Sequence, residues 1–227
     1  MNEFNKNKYV IIKNVINKDL CNFLHNYLLV KRQVAETLIK ETYISPFEEA
    51  FGTWEDDQVP NTYSHYADIA METLLLKLQP IMEKQTGMKL NPSYSFLRIY
   101  KKGDVLERHK DRFSCEISTT LNLGGDNWPI YINPNPDAGF VYGENFGKHS
   151  IQNYFPTNDK GVEINLNPGD MLIYRGCDLE HWREKFEGDE CCQVFLHYNN
   201  TETKDSELHL FDKRPHLGLP GWFKGRK

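Results

Sequence analysis

The 227-residue chain lacks any cysteine pattern that could staple it. Its five cysteines, Cys21, Cys115, Cys177, Cys191 and Cys192, are odd in number, include no Cys-x-x-Cys pair and place two side by side. That argues against a disulfide framework and a thiolate zinc site, and fits reduced thiols in the cytoplasm. A basic surplus is also missing: 27 Lys and Arg against 32 Asp and Glu give a formal charge of −5, so bulk charge does not indicate nucleic acid as a partner. No run approaches the roughly 18 apolar residues of a membrane span. The opening Met1-Asn2-Glu3-Phe4-Asn5-Lys6 has no apolar stretch of the kind a secretory signal needs. Internal repeats and low-complexity tracts are absent. A cytoplasmic protein without a membrane partner is expected, and nothing in the sequence fixes an oligomeric state.

What the chain has is length enough for a sizeable core and 13% aromatic residues, which suit strands and a lined pocket. One domain is expected, with a helical support region over 1–90, a β core over 91–200 and a packed tail over 201–227. Tyr9-Val10-Ile11-Ile12 reads as a strand. Asn17 then caps a helix running to about Lys40, with Leu20, Phe23, Leu24, Leu28 and Leu29 at helical spacing. Residues 43–61 read as irregular. A second helix is expected over Ala67–Met88, kinked or split at Pro80 and closed by Gly87. Both helices read as core-covering.

From Ser93 the pattern changes to short β-branched and aromatic runs between Gly, Pro, Asn and Asp turns. Strands are expected over 94–100, 105–109, 115–123, 129–132, 149–154, 162–166, 171–175, 179–184 and 191–198. The fold class is mainly β with supporting α: a jelly roll flanked by two helices from the N-terminal half. The turn-rich interval 133–161 is either a lid over a pocket mouth or a plain solvated loop.

Within the β region, His109 and Asp111 are two apart after the turn at Lys101-Lys102-Gly103-Asp104, so in extended chain they share a face. An imidazole and a carboxylate so placed, with one further His, make the 2-His-1-carboxylate face suited to Fe(II) with open positions. The third ligand expected is His181, on the strand after Pro168-Gly169-Asp170 and the apolar run that follows it. Asp104 and Asp170 read as turn residues that cap backbone. His25, His65, His149, His209 and His216 read as structural. Arg112 should face away from Asp111 and support the site from outside. Trp128, Tyr131 and Trp182 are either pocket lining or core.

The ordered set Tyr100-x-x-Gly103, His109-x-Asp111, Pro168-Gly169-Asp170 and His181 resembles the iron(II)- and 2-oxoglutarate-dependent dioxygenase superfamily, and within it the prolyl-hydroxylase-like branch. The resemblance spans roughly 93–200. It implies a double-stranded β-helix, Fe(II) on His109, Asp111 and His181, 2-oxoglutarate as cosubstrate with O2, and contact of Tyr100 with that cosubstrate. It implies hydroxylation of a peptidyl prolyl, another protein side chain or a small molecule. The sequence departs from the pattern in one respect. Relatives place a basic residue for the distal carboxylate nine to eleven positions after the last His, where this chain has Glu190, Cys191 and Cys192. Arg183, which shares the face of His181, is the first substitute; Arg98, which shares the face of Tyr100, is the second; His197 is the third. Two other readings stand beside this one: a cupin-type metal-binding module or isomerase, and a dioxygenase-fold binding protein without activity.

Overall fold

The computed structural model describes residues 2–139 and 154–225. Two antiparallel sheets face each other. The larger contains β1 (Tyr9–Ile12), β2 (Tyr63–Tyr66), β3 (Leu90–Lys101), β5 (Ile117–Gly125), β8 (Met171–Arg175) and β10 (Glu190–Asn200), in the order β1-β8-β5-β10-β3-β2. The smaller contains β4 (Leu106–His109), β6 (Ile130–Ile132), β7 (Val162–Ile164) and β9 (His181–Arg183), in the order β4-β9-β6-β7. Apart from the neighbours β6 and β7, the chain alternates between the sheets from β3 onward, as the expected jelly roll requires. Much of the strand expected over 149–154, together with His149 and the glycines at 143 and 147, lies outside the described residues.

Three helices precede the β region: α1 (Glu3–Asn7), α2 (Lys18–Lys40) and α3 (Ile69–Thr86). Asn17 caps α2 by accepting from the Leu20 N–H at 2.9 Å, and Asp68 caps α3 through the Met71 N–H at 3.0 Å. Gly87 ends α3 at φ +75°, as its type predicts. Pro80 does not split the helix: α3 runs through it from Ile69 to Thr86. The carbonyl that loses its donor belongs to Leu76, on the exposed side of the helix, where water can serve it. Short α1 and the edge strand β2 are additions to the expected set. No helix among the described residues is long and apolar enough to cross a membrane.

Period-two alternation on the large sheet separates two environments. Leu97 and Ile99 of β3, Leu121 and Leu123 of β5 and Val194 and Leu196 of β10 face the helices, packing with Leu24, Leu28, Leu74 and Leu78. Their neighbours Phe96, Tyr100, Cys191, Phe195, Leu172 and Tyr174 belong to the clusters between the sheets. That inner face carries the polar chemistry. The segment 206–224 packs back over the body, with Arg214 held on Glu72 at 2.6 Å and Asp212 on Arg112 at 2.7 Å.

Candidate metal centre

His109 ends β4 and His181 begins β9, and the two are register partners across the small sheet. Their ring centroids lie 4.2 Å apart. Asp111 follows on the chain, and its Oδ1 sits 3.6 Å from His109 Nε2 and 3.4 Å from His181 Nε2. Each Nδ1 is paired with a backbone carbonyl, Glu107 O at 2.7 Å for His109 and Leu179 O at 3.0 Å for His181. A carbonyl only accepts, so each Nδ1 carries the proton and each Nε2 faces the Asp111 carboxylate, that of His109 also meeting the Gln58 amide nitrogen at 3.0 Å. Burial works to raise the Asp111 carboxyl, but His181 and His109 outweigh it and hold the group well below the usual carboxylate range. The donor set is therefore two imidazole Nε2 atoms and one anionic carboxylate oxygen on one side of a point.

Asp111 is fixed from several directions. Its N–H donates to Gly176 O at 2.9 Å, and Ser118 Oγ donates to its Oδ2 at 2.9 Å. Gly176 is required here because a Cβ would run into Asp111 Oδ2 and the Cys115 carbonyl. The one Ser118 proton serves two acceptors, Asp111 Oδ2 and the Cys115 carbonyl, both at 2.9 Å, so toward His197 Nδ1 at 2.9 Å the hydroxyl accepts. Burial pushes the His197 imidazole down to about 4.

Two other groups of possible ligands fit a cation less well. Asp111, Cys115 and His197 converge, but burial pushes the Cys115 thiol well up, so it stays protonated. His25, Glu190 and Cys192 converge, but Arg32 lies 2.9 Å from the Glu190 carboxylate and burial also raises the Cys192 thiol.

A cavity of about 170 Å³ opens on the His109–Asp111–His181 face. Its walls are Tyr94, Phe96 and Arg98 from β3, Phe195 and His197 from β10, Leu106, Ile130 and Tyr174, and Asp56 and Gln58 from the 43–61 segment. Arg98 is buried and lines the cavity as its face predicts. Its Nη1 donates to Tyr100 Oη at 3.1 Å, and its Nη2 to Asp56 Oδ2 at 2.9 Å and Gln58 Oε1 at 3.1 Å. Tyr100 lies behind it, fully buried edge-on against Trp128. Trp128, Tyr131 and Trp182 are not among the lining residues.

Arg183 lies deeper. It is the register partner of Leu106, in the layer beneath the His109–His181 pair, and it is 1% exposed. It donates to the Trp128 carbonyl and, at 3.3 Å, to Thr120 Oγ1, while its Nε has no partner. Among the described residues no carboxylate pairs with it. Arg112 faces the far side of Asp111, as expected, on Asp212.

Gln58, Asp56, Ser118, Tyr94 and Tyr174 were not legible as site residues. Gln58 is the most consequential: its Nε2 lies 3.0 Å from His109 Nε2. The Gln58 carbonyl faces Arg98, so its amide nitrogen faces His109. Nothing local in the irregular segment signals this, because a chain contact across 51 residues makes it.

No protein-family profile matches the chain, and no curated protein does either. Solved structures do match. A prolyl-4-hydroxylase from Pseudomonas putida aligns over 87% of this chain and 95% of its own with a TM-score of 0.53. The fold is that of the 2-oxoglutarate-dependent oxygenases. HygX from Streptomyces hygroscopicus, with nickel, 2-oxoglutarate and hygromycin B bound, aligns over 89% and 91% with a TM-score of 0.58. SnoN, an α-ketoglutarate-dependent non-haem epimerase from nogalamycin biosynthesis, aligns over 98% and 91% with a TM-score of 0.61. Identities are 14%, 14% and 13%, in that order, so what is shared is the architecture.

Proposed function

We propose that the protein is an Fe(II)- and 2-oxoglutarate-dependent oxygenase that hydroxylates its substrate. One observation carries the reading: His109 and His181 are register partners with Asp111 between them, and a buried guanidinium without a carboxylate, Arg183, lies one layer beneath. Two imidazole nitrogens and a carboxylate on one face suit Fe(II) and would leave further positions for other ligands. Fe(II) with 2-oxoglutarate supplies oxidation of a C–H bond by O2, with decarboxylation of the cosubstrate to succinate.

The residues of this chain then have distinct roles. His109, Asp111 and His181 hold the metal. Arg183 takes the distal carboxylate of 2-oxoglutarate, since a buried guanidinium needs an anion and none of the described residues supplies one. Its neighbour Cys191, whose thiol feels the Arg183 charge, is one of the three positions, 190–192, where the family resemblance implies the base. A guanidinium from β9 thus does the work of one from β10. Arg98, which lines the cavity, is already paired with Asp56. Phe96, Phe195 and Tyr174 give the cavity an apolar part of its wall beside the charged groups.

Succinate release from 2-oxoglutarate that depends on added Fe(II) tests the proposal. Asp111→Ala and His181→Ala should abolish it along with tight Fe(II) binding. Normal Fe(II) affinity in both variants would sink the ligand assignment. Fe(II) binding without any 2-oxoglutarate turnover would favour the binding-protein reading.

A further inference from the structure

The turn Phe211-Asp212-Lys213 is strained in a way the fold alone does not require. All three residues carry a Cβ and all three are in the left-handed region, at φ +50°, +53° and +67°. Such a run persists only where its surroundings over-determine it. What it delivers is the Asp212 carboxylate, 1% exposed, into a ring of donors. Arg112 meets it with both terminal nitrogens at 2.7 Å, Tyr66 donates to it at 2.7 Å and Lys224 lies at 2.6 Å.

Arg112 is the residue after Asp111. Its guanidinium stacks over Tyr94, 4.7 Å from the ring centre, and Tyr94 lines the cavity beside His197. Its carbonyl accepts from Cys115 N at 2.9 Å. The Asp111 backbone is thus tied to Gly176 through its own N–H and to the C-terminal segment through the side chain that follows it.

We propose that Asp212 is a positioning residue for the metal centre: through its two-pronged grip on Arg112 it fixes the backbone that aims the Asp111 carboxylate between His109 and His181. The strained turn is the means by which the segment after β10 reaches a site built on β4 and β9. This rests on the metal-centre reading above. Partners that hydrogen-bond a ligand directly are worth roughly 10–100-fold in metal affinity, and a hold one residue removed should fall at the low end of that range.

The test uses the full chain, with Mn(II) as the probe, titrated by the loss of the free-ion electron-spin signal, and Co(II) for its visible spectrum. Asp212→Asn and Arg112→Lys should each weaken Mn(II) binding about tenfold or more and alter the Co(II) bands. The double variant should be no weaker than the worse single, because both break one link. Tyr66→Phe removes a different Asp212 contact, so it should lower the melting temperature while Mn(II) affinity stays within about twofold. Folded Asp212→Asn or Arg112→Lys protein that binds Mn(II) as the wild type does overturns the inference. So does Tyr66→Phe weakening Mn(II) as much as they do, which would mean affinity merely follows stability. If Asp212→Asn does not fold, Arg112→Lys decides alone. A wild-type chain that binds neither ion would instead overturn the metal-centre reading itself.

Discussion

The Arg183 guanidinium crosses from the small sheet to the large one and donates to Thr120 Oγ1 at 3.3 Å. Thr120 in turn donates to Gln193 Oε1 at 3.0 Å, so the cation is met by neutral dipoles only. Arg98 is different, because Asp56 already balances it. That contrast yields the first prediction. Arg183→Leu should raise the 2-oxoglutarate KM by about 10–100-fold, the equivalent of losing a charged hydrogen-bonded pair of about 1.5–3 kcal/mol. Arg98→Leu should leave that KM within about threefold, on the same arithmetic of a contact not made. The reverse pattern in a succinate-release assay would move the anchor to Arg98.

The closeness of His109 and Asp111 was legible because its cause is local, whereas His181 meets them only through the β4–β9 register. Period two puts His109 and Asp111 on one face, and Pro168-Gly169-Asp170 is a turn by composition: Asp170 accepts from the Asn167 and Asn14 N–H groups at 3.0 Å. The caps at Asn17 and Gly87 were legible for the same reason. What was not legible depends on register between distant segments. The β2 sequence, Tyr63-Ser64-His65-Tyr66, carries no aliphatic run, and it is a strand only because β3 offers an edge beside it. Ser118 and His197 meet because β5 and β10 pair in one register, with Ser118 opposite His197. A slip of one residue would turn both side chains away from the cavity.

Gly176 gives the second prediction. Gly176→Ala places a Cβ against Asp111 Oδ2 and the Cys115 backbone carbonyl, and a backbone carbonyl cannot step aside as a flexible side chain can. Asp111 must move. The variant should therefore lose Fe(II) or Mn(II) affinity by about tenfold or more, in the range of other disturbances to the surroundings of a metal ligand. An equilibrium metal titration on folded protein checks it, and unchanged affinity would show that the 176–178 turn yields instead.

Gln58 gives the third. Its amide nitrogen is near the metal face but is not a donor of a lone pair, so Gln58→Leu should leave Mn(II) affinity within about threefold of wild type. Gln58→Glu puts a second carboxylate there. It should tighten Mn(II) binding by several-fold, since an added anion near the centre favours a divalent cation. A loss of binding in Gln58→Glu would mean the strap at 56–59 had swung away and that Arg98 alone does not hold it.

His197 sets a dependence on pH. The imidazole is fully desolvated, which lowers its pKa from the ordinary 6.5 to about 4, and it stays neutral in the folded chain at neutral pH, donating its Nδ1 proton to Ser118. Asp111 on the far side of Ser118 acts to raise that pKa and Arg112 to lower it, but both are smaller than the desolvation. An unfolded chain takes up this proton near pH 6.5, whereas the folded chain resists until about pH 4. Across that window the unfolded state binds more protons, so stability rises with pH and is lost as pH falls from about 6.5 toward 4. The contribution is about 2 kcal/mol between pH 7 and pH 4.5, at about 1.4 kcal/mol for each tenfold difference in proton affinity. His197→Gln keeps a donor for Ser118 and has no proton to gain, so its unfolding free energy should fall by about 2 kcal/mol less than that of the wild type over the same interval. Urea unfolding of both metal-free proteins at the two pH values measures the difference. Parallel losses would show that His197 takes up its proton in the folded chain as readily as in the unfolded one, and that the Ser118 contact does not hold the imidazole neutral.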